Sequence, residues 1–189
     1  AMGFLHVGAL NAQGLIGHQA ELAGHFRGGE IFGFADLIVT RADGTKAIVD
    51  LKWAGGKKYP EKFATNSHLQ LGIYAELLRQ KTGAWPHLAY FILSQARLIA
   101  PDDRFFGDAK VVRKNKGMED EGTPQLWARF ENTWAWRKAQ QDGGLFELIL
   151  GEADIKDGLT AWPEDALAPE SLNPAYNDFL ALAGWVDAL

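Results

Sequence analysis

The sequence has no cysteine. Disulfides, thiolate zinc sites and cysteine-held iron–sulfur clusters are therefore excluded, and the chain suits a reducing compartment, so a cytoplasmic protein is expected. Any metal must be held by oxygen or imidazole, which favours Mg²⁺ or Mn²⁺ over softer ions. Long apolar runs are also missing. No stretch approaches the roughly 20 residues needed to span a bilayer, so no membrane partner is expected, and nothing at the start resembles a signal peptide. Positive charge is not in excess either: 19 Lys and Arg stand against 24 Asp and Glu, a formal net charge of -5. The chain is no polycation, and a nucleic-acid partner would have to be met by local basic patches. What is present is ordinary for a globular protein, with 47% apolar and 23% charged residues in a chain of 189. A chain of that length buries roughly 70% of its unfolded surface, enough for a core without staples. Neither an internal repeat nor a low-complexity tract interrupts it, and a single domain over 1–189 is expected. The opening Ala1-Met2-Gly3 is compatible with a cloning scar, which would make the chain a piece of a longer protein.

Patterning points to an α/β fold. Ile31 to Val39 is a buried-strand run, Ala42-Asp43-Gly44 is a turn signal, and Ala47 to Trp53 is a second strand; a preceding strand is expected around Gln19 to Phe26. From Asn66 to Thr82 the pattern turns helical, with Asn66 or Ser67 as cap, Leu69, Ile73 and Leu77 recurring at helical spacing, and Gly83 as stop. His87 to Leu93 is apolar on both faces, as an interior strand should be. Pro101 to Gly122 reads as a long polar loop. Thr123-Pro124 starts a helix whose stripe of Leu126, Trp127, Phe130 and Trp134 ends near Gly143-Gly144. The tail from Gly158 carries Pro163, Pro169 and Pro174 before an apolar segment ending at Trp185. The informative core thus spans about 17–100, with a helical, proline-containing extension at about 123–189.

Asp36 and Asp50 are equidistant from Asp43, the middle of the turn. A three-residue loop centred there would set them directly opposite each other, and another loop would shift this by about one residue. Opposed like charges destabilise neighbouring strands, and both strands are otherwise apolar. Two carboxylates so placed need a cation between them or a shared proton. Lys52, two residues beyond Asp50, points to the same face. A metal-binding carboxylate and an ammonium on one spot suit phosphodiester hydrolysis: the metal neutralises phosphate and activates water, and the lysine stabilises developing charge or positions the water. Leu51 points away, yet its backbone carbonyl is a hard oxygen that suits Mg²⁺. An Asp-x-Lys triplet alone arises readily by chance, and each residue has a bland alternative: a solvating charge on an edge strand for Lys52, a turn former for Asp36. The context changes the balance, because both aspartates interrupt apolar runs.

Gly33-Phe34-Ala35-Asp36, then Ile48-Val49-Asp50-Leu51-Lys52, then Gln70-Leu71-Gly72-Ile73-Tyr74 resembles the motif order of the PD-(D/E)XK nuclease superfamily. It is most similar to the RecB-type branch, which includes the nuclease domains of the AddB and RecB helicase–nucleases and a CRISPR-associated exonuclease. The resemblance covers roughly Glu21 to Leu93. It implies a mixed central β-sheet flanked by helices with a restriction-endonuclease-like core. It also implies metal ligation by Asp36 and Asp50, beside which the Leu51 carbonyl remains available, catalysis by Lys52, and Gln70 and Tyr74 on one helix face towards the site, which their spacing of four allows. The branch usually has a further acidic residue on the preceding strand, for which Glu21 is the natural candidate and Glu30 the second. Two departures stand out. The upstream histidine of many members has no convincing counterpart among His6, His18 and His25, and the cysteine-held iron–sulfur cluster of some relatives is impossible here.

DNA is the implied partner, with a helicase or the rest of a longer chain as a further one. Lys57 and Lys58, with Lys62 nearby, follow the catalytic strand in a glycine-containing stretch read as a mobile loop beside the scissile phosphate. Lys110, Arg113, Lys114 and Lys116 form a second basic cluster in the long loop, with a merely solvated loop as the alternative. Trp127, Trp134 and Trp136 could stack bases, but their helical spacing beside Leu126 and Phe130 favours core. The expectation is a Mg²⁺- or Mn²⁺-dependent DNA nuclease, an exonuclease module of recombination or repair without base-reading elements. The rival expectations are a catalytically silent DNA-binding or scaffold domain of the same fold, and a structure-selective endonuclease.

Overall fold

The computed structural model describes residues 15–146 and 162–167. Its centre is two strands whose side chains are apolar on both faces, β3 (Lys46–Lys52) and β4 (His87–Ile92), paired in parallel. Such strands belong inside a sheet covered on both sides. On one flank lie β1 (Leu15–Phe26) and β2 (Gly29–Thr40), a long antiparallel hairpin, with β2 also antiparallel to β3. On the other flank are β5 (Arg97–Ala100), antiparallel to β4, and the two-residue β6 (Lys110–Val111), parallel to β5. The sheet order is β1-β2-β3-β4-β5-β6.

The parallel step from β3 to β4 requires a crossover, which is made by α1 (Lys58–Ala64) and α2 (Leu69–Thr82). Leu71, Ala75, Leu77 and Leu78 of α2 pack with Phe63 of α1 against Leu22, Ala35, Ile48, Leu88, Tyr90 and Ile92 of the sheet. Each fully buried leucine contributes about 2 kcal/mol. The opposite face carries Val39, Ala47, Val49 and Ala89, and is covered by Phe105, Phe106 and Ala109. The chain divides into two compact units, Ala1–Trp127 and Ala128–Leu189, with the boundary inside α3 (Thr123–Asp142). Within the second unit Trp136 meets Trp162 edge to face at 5.0 Å, and Arg137 lies over both rings.

The mixed α/β sheet, the strand pair flanking Asp43, the strand at His87 and the helix at Thr123 appear where the sequence places them. Four expectations need correcting. The stretch after β3 is helical from Lys58, because Tyr59 and Phe63, four residues apart, both pack on Tyr90, at 4.8 Å and 4.9 Å between ring centroids. Helix α2 starts at Leu69 rather than Asn66. Asn66 adopts φ 50°, is buried, and donates to Glu121 Oε2 and the Gly122 carbonyl, so tertiary partners take the side chain that local logic assigns to a cap. The polar stretch from Pro101 also buries Phe105 and Phe106 and contains β6, and β5 lies just before it. The turn between β2 and β3 has five residues, not three, since Thr40 pairs with Lys46. Trp127 is buried, as a core residue should be, with Phe26 edge to face at 5.4 Å. His6 and most of the proline-containing tail lie outside the described residues.

Candidate active site

The five-residue turn is still centred on Asp43, whose side chain accepts from the Thr45 N–H. The register Leu37↔Val49, Ile38↔Ile48, continued by one residue, sets Asp36 against Asp50. The ladder stops one pair short. Instead of pairing through its backbone, Asp36 accepts a hydrogen bond from the Leu51 N–H on Oδ2, at 2.7 Å.

Strand β2 changes phase at this point. Ala35 and Ile38 both pack in the cluster under α2, whereas Leu37 and Val39 pack on the other face, so the alternation of an ideal strand skips a step at Asp36. Opposite, Gln19 of β1 takes φ 46°, rare for a residue with a β-carbon. The kink turns the Asp36 carboxylate towards the edge of β3. Because N–H and C=O of one strand residue face the same edge, the Leu51 carbonyl is directed to that side too.

Asp50 shares the α2 face with Ile48 and is 2% exposed. Its Oδ2 lies 2.7 Å from Lys52 Nζ, an ion pair that meets the buried charge. Burial raises the Asp50 pKa above the usual carboxylate value; the Lys52 ammonium opposes the shift and the Asp36 charge adds to it. From Lys52 a relay runs onto α2. Its Nζ donates to Gln70 Oε1 at 3.0 Å, and Gln70 Nε2 donates to the Tyr74 hydroxyl at 3.2 Å. Lys52 Nζ also lies 5.5 Å from the centre of the Tyr59 ring. Gly33 fits the close approach of Tyr74: a β-carbon there would sit 3.0 Å from Tyr74 Cε1, so the ring would have to give by a few tenths of an ångström.

Asp36, Asp50, Leu51, Lys52, Gln70 and Tyr74 therefore come together. Glu21 does not join them. It is exposed and opposite Phe34, whose neighbour Gly33 faces Tyr74, so Glu21 projects from the other face of the sheet. Glu30 is exposed near the hairpin tip, 3.8 Å from His25. Lys57 and Lys58 are exposed at the start of α1. The residue missed in the sequence is Tyr59, whose signal was its spacing to Phe63.

A divalent cation can be tested against this donor set. Among the described residues no three acidic or histidine side chains gather into a metal-binding group. The chain offers two carboxylates and a main-chain carbonyl, all hard oxygens, and the Asp50 carboxylate is buried against the Lys52 ammonium. That set fits Mg²⁺ or a similar ion, which is commonly held by one or two carboxylates while waters and substrate phosphate complete its shell.

Comparison with known proteins agrees with the motifs. The PD-(D/E)XK nuclease superfamily profile matches residues 8–162, and the chain belongs to this superfamily. Its members are nucleases, hydrolases of nucleic acid that generally use divalent metal ions. No curated protein matches the sequence significantly. Among solved structures, a chain from Eubacterium rectale assigned as an exonuclease is 17% identical over 82% of this chain, with a TM-score of 0.32. The match covers 61% of that chain's length, and a likeness at this level does not establish a shared fold. Among the described residues no helix is long and apolar enough to cross a membrane.

Proposed function

We propose that the protein is a Mg²⁺- or Mn²⁺-dependent DNA nuclease that hydrolyses phosphodiester bonds, of the RecB type, working as an exonuclease module in recombination or repair. The observation that carries this reading is the convergence of the Asp36 and Asp50 carboxylates with the Lys52 ammonium at the end of an otherwise apolar strand. Asp36, Asp50 and the Leu51 carbonyl would hold the cation, which when bound neutralises phosphate charge and lowers the pKa of water. Lys52 would stabilise the charge that develops on the phosphate or orient the attacking water, with Gln70 holding its ammonium and Tyr74 holding Gln70. Glu21 has no part in the reading that this geometry supports. Base-reading elements are not needed, because contacts to phosphate carry no sequence information.

The test is degradation of end-labelled linear DNA, single- and double-stranded, with Mn²⁺ or with EDTA, beside covalently closed circular DNA. Cation-dependent loss of linear DNA with the circle intact is expected. Cutting of the circle would replace the exonuclease reading with an endonuclease, and no cutting of any substrate would leave a silent binding domain.

A further inference from the structure

Two basic clusters that are far apart in the sequence meet in the fold. Helix α1 bridges them. At its start, Tyr59 lies against the Lys52 ammonium and Lys57 and Lys58 are exposed. At its end, the Ala64 carbonyl accepts from the Asn115 N–H at 2.9 Å, and Lys114 Nζ donates to Asn66 Oδ1 at 2.8 Å. Asn66 in turn donates to Glu121 and Gly122, so the segment after β6 is fastened to the α1–α2 connection by four hydrogen bonds. Lys62 and Lys114 approach the same buried ring: both charges disfavour protonation of His68. Arg113 and Lys116 are exposed beside them. Between Lys110 and Lys116 there is no acidic residue, in a chain whose formal net charge is -5. Acidic residues border these clusters, with Asp108 before the segment, Glu119, Asp120 and Glu121 after it and Glu61 on α1, so the positive charge is local to Lys57, Lys58, Arg113 and Lys116.

We propose that α1 and the segment 110–116 form a second DNA contact, a phosphate-binding surface that holds the backbone about three nucleotides from the bond to be cut. The reach follows from α1, whose seven residues span about 10 Å at 1.5 Å each. A B-form strand advances about 3.4 Å per nucleotide, so that span corresponds to three. Lys52 would meet the scissile phosphate, Lys57 and Lys58 the next ones, and Lys62, Arg113, Lys114 and Lys116 the phosphates at the far end. The contact is to backbone charge, which gives affinity and register without sequence preference. It also implies that substrates shorter than the surface bind more weakly than longer ones.

The inference rests on the nuclease reading for the identity of its ligand, so cleavage is scored alongside binding. Arg113→Ala/Lys116→Ala removes two exposed charges and should leave the melting temperature unchanged. Binding of a fluorescent trinucleotide and of 12-nucleotide single- and double-stranded DNA is measured in EDTA over a series of salt concentrations. The variant should lose about tenfold in affinity for the 12-mers and nothing for the trinucleotide. For the single strand its salt slope should be shallower by about 1.4, the value for two lost phosphate contacts. Arg113→Glu/Lys116→Glu should lose more. Equal affinities and slopes for all three proteins, with Mn²⁺-dependent cleavage intact, would overturn the second contact and leave the nuclease reading standing. A wild-type protein that neither binds nor cuts DNA would overturn both.

Discussion

Acid should destabilise this protein through one histidine before its carboxylates take part. His68 is 2% exposed, packs edge to face on Phe63 at 5.0 Å, and has only a long contact, 3.4 Å, from Nδ1 to the Lys62 carbonyl. Its Nε2 is buried with no hydrogen-bond partner. Burial, with the Lys114 charge adding to it, lowers its pKa from 6.5 to about 3. An unfolded chain therefore takes up a proton near pH 6.5 that the native state refuses until about pH 3. Throughout that window the unfolded state binds more protons, so stability falls as pH falls and is fully present only above the unfolded value. One pKa unit is worth about 1.4 kcal/mol, so moving from pH 7 to pH 5 should remove about 2 kcal/mol through this ring, and the whole window about 5 kcal/mol. The assay is urea unfolding at pH 7 and pH 5 of the wild type and of His68→Gln, whose amide can still donate to the Lys62 carbonyl. The wild type should lose about 2 kcal/mol more than the variant between the two pH values. His87, also lowered chiefly by burial, is common to both proteins and drops out of the difference. Parallel losses, or a His68 ring that titrates near 6.5 by NMR, would refute the reasoning.

Three further outcomes follow from the site. Asp50→Ala should abolish cleavage while the cation-free protein melts at the same or a higher temperature, because a buried carboxylate beside Asp36 is removed; an unfolded or fully active variant would cancel the ligand assignment. Lys52→Met should lose single-turnover cleavage but keep Mn²⁺ affinity in calorimetric titration, since its unbranched stem still packs while the charge acting in the chemical step is gone. Tyr74→Phe should remove the hydroxyl that holds Gln70 and lower turnover without weakening cation binding, and wild-type kinetics would show that the Tyr74–Gln70 relay does not position Lys52.

The strands of the site were legible because each signals through its own residues. Alternating and continuous apolar runs mark β2, β3 and β4, and the turn residues around Asp43 hold the aspartates in register even though the turn is longer than expected. Lys52 followed from its spacing of two from Asp50 on a strand, whereas Gln70 and Tyr74 came from the family resemblance, their spacing of four only setting them on one helix face. What escaped depended on distant partners. Asn66 looks like a helix cap until Glu121 and Gly122 claim it. Helix α1 is too short to announce itself, and it forms because Tyr59 and Phe63 find Tyr90. Glu21 looked suitable because it lies on the preceding strand, but no local pattern tells which face it takes; pairing with Phe34 decides that. The buried Glu76, held by Arg79 at 2.6 Å and by Gln80, and the Gln80 amide that bonds both His25 N–H and His25 carbonyl, were invisible for the same reason.

The phase change in β2 also bears on how the chain finds its alignment. A strand with one unbroken alternation can slide by two residues along its partner and keep every side chain on the correct face, which is why long hairpins misalign readily. Here the two halves of β2 are out of step with each other, and the left-handed backbone of Gln19 matches only the point where they meet. A slide of two residues would set that point against ordinary extended backbone and turn part of the strand inside out. The position that aims Asp36 thus also serves as an alignment mark for the hairpin. A chain that pairs β1 and β2 wrongly misplaces the Asp36 carboxylate and the core in the same error, so misaligned molecules would be unstable rather than folded with a displaced Asp36.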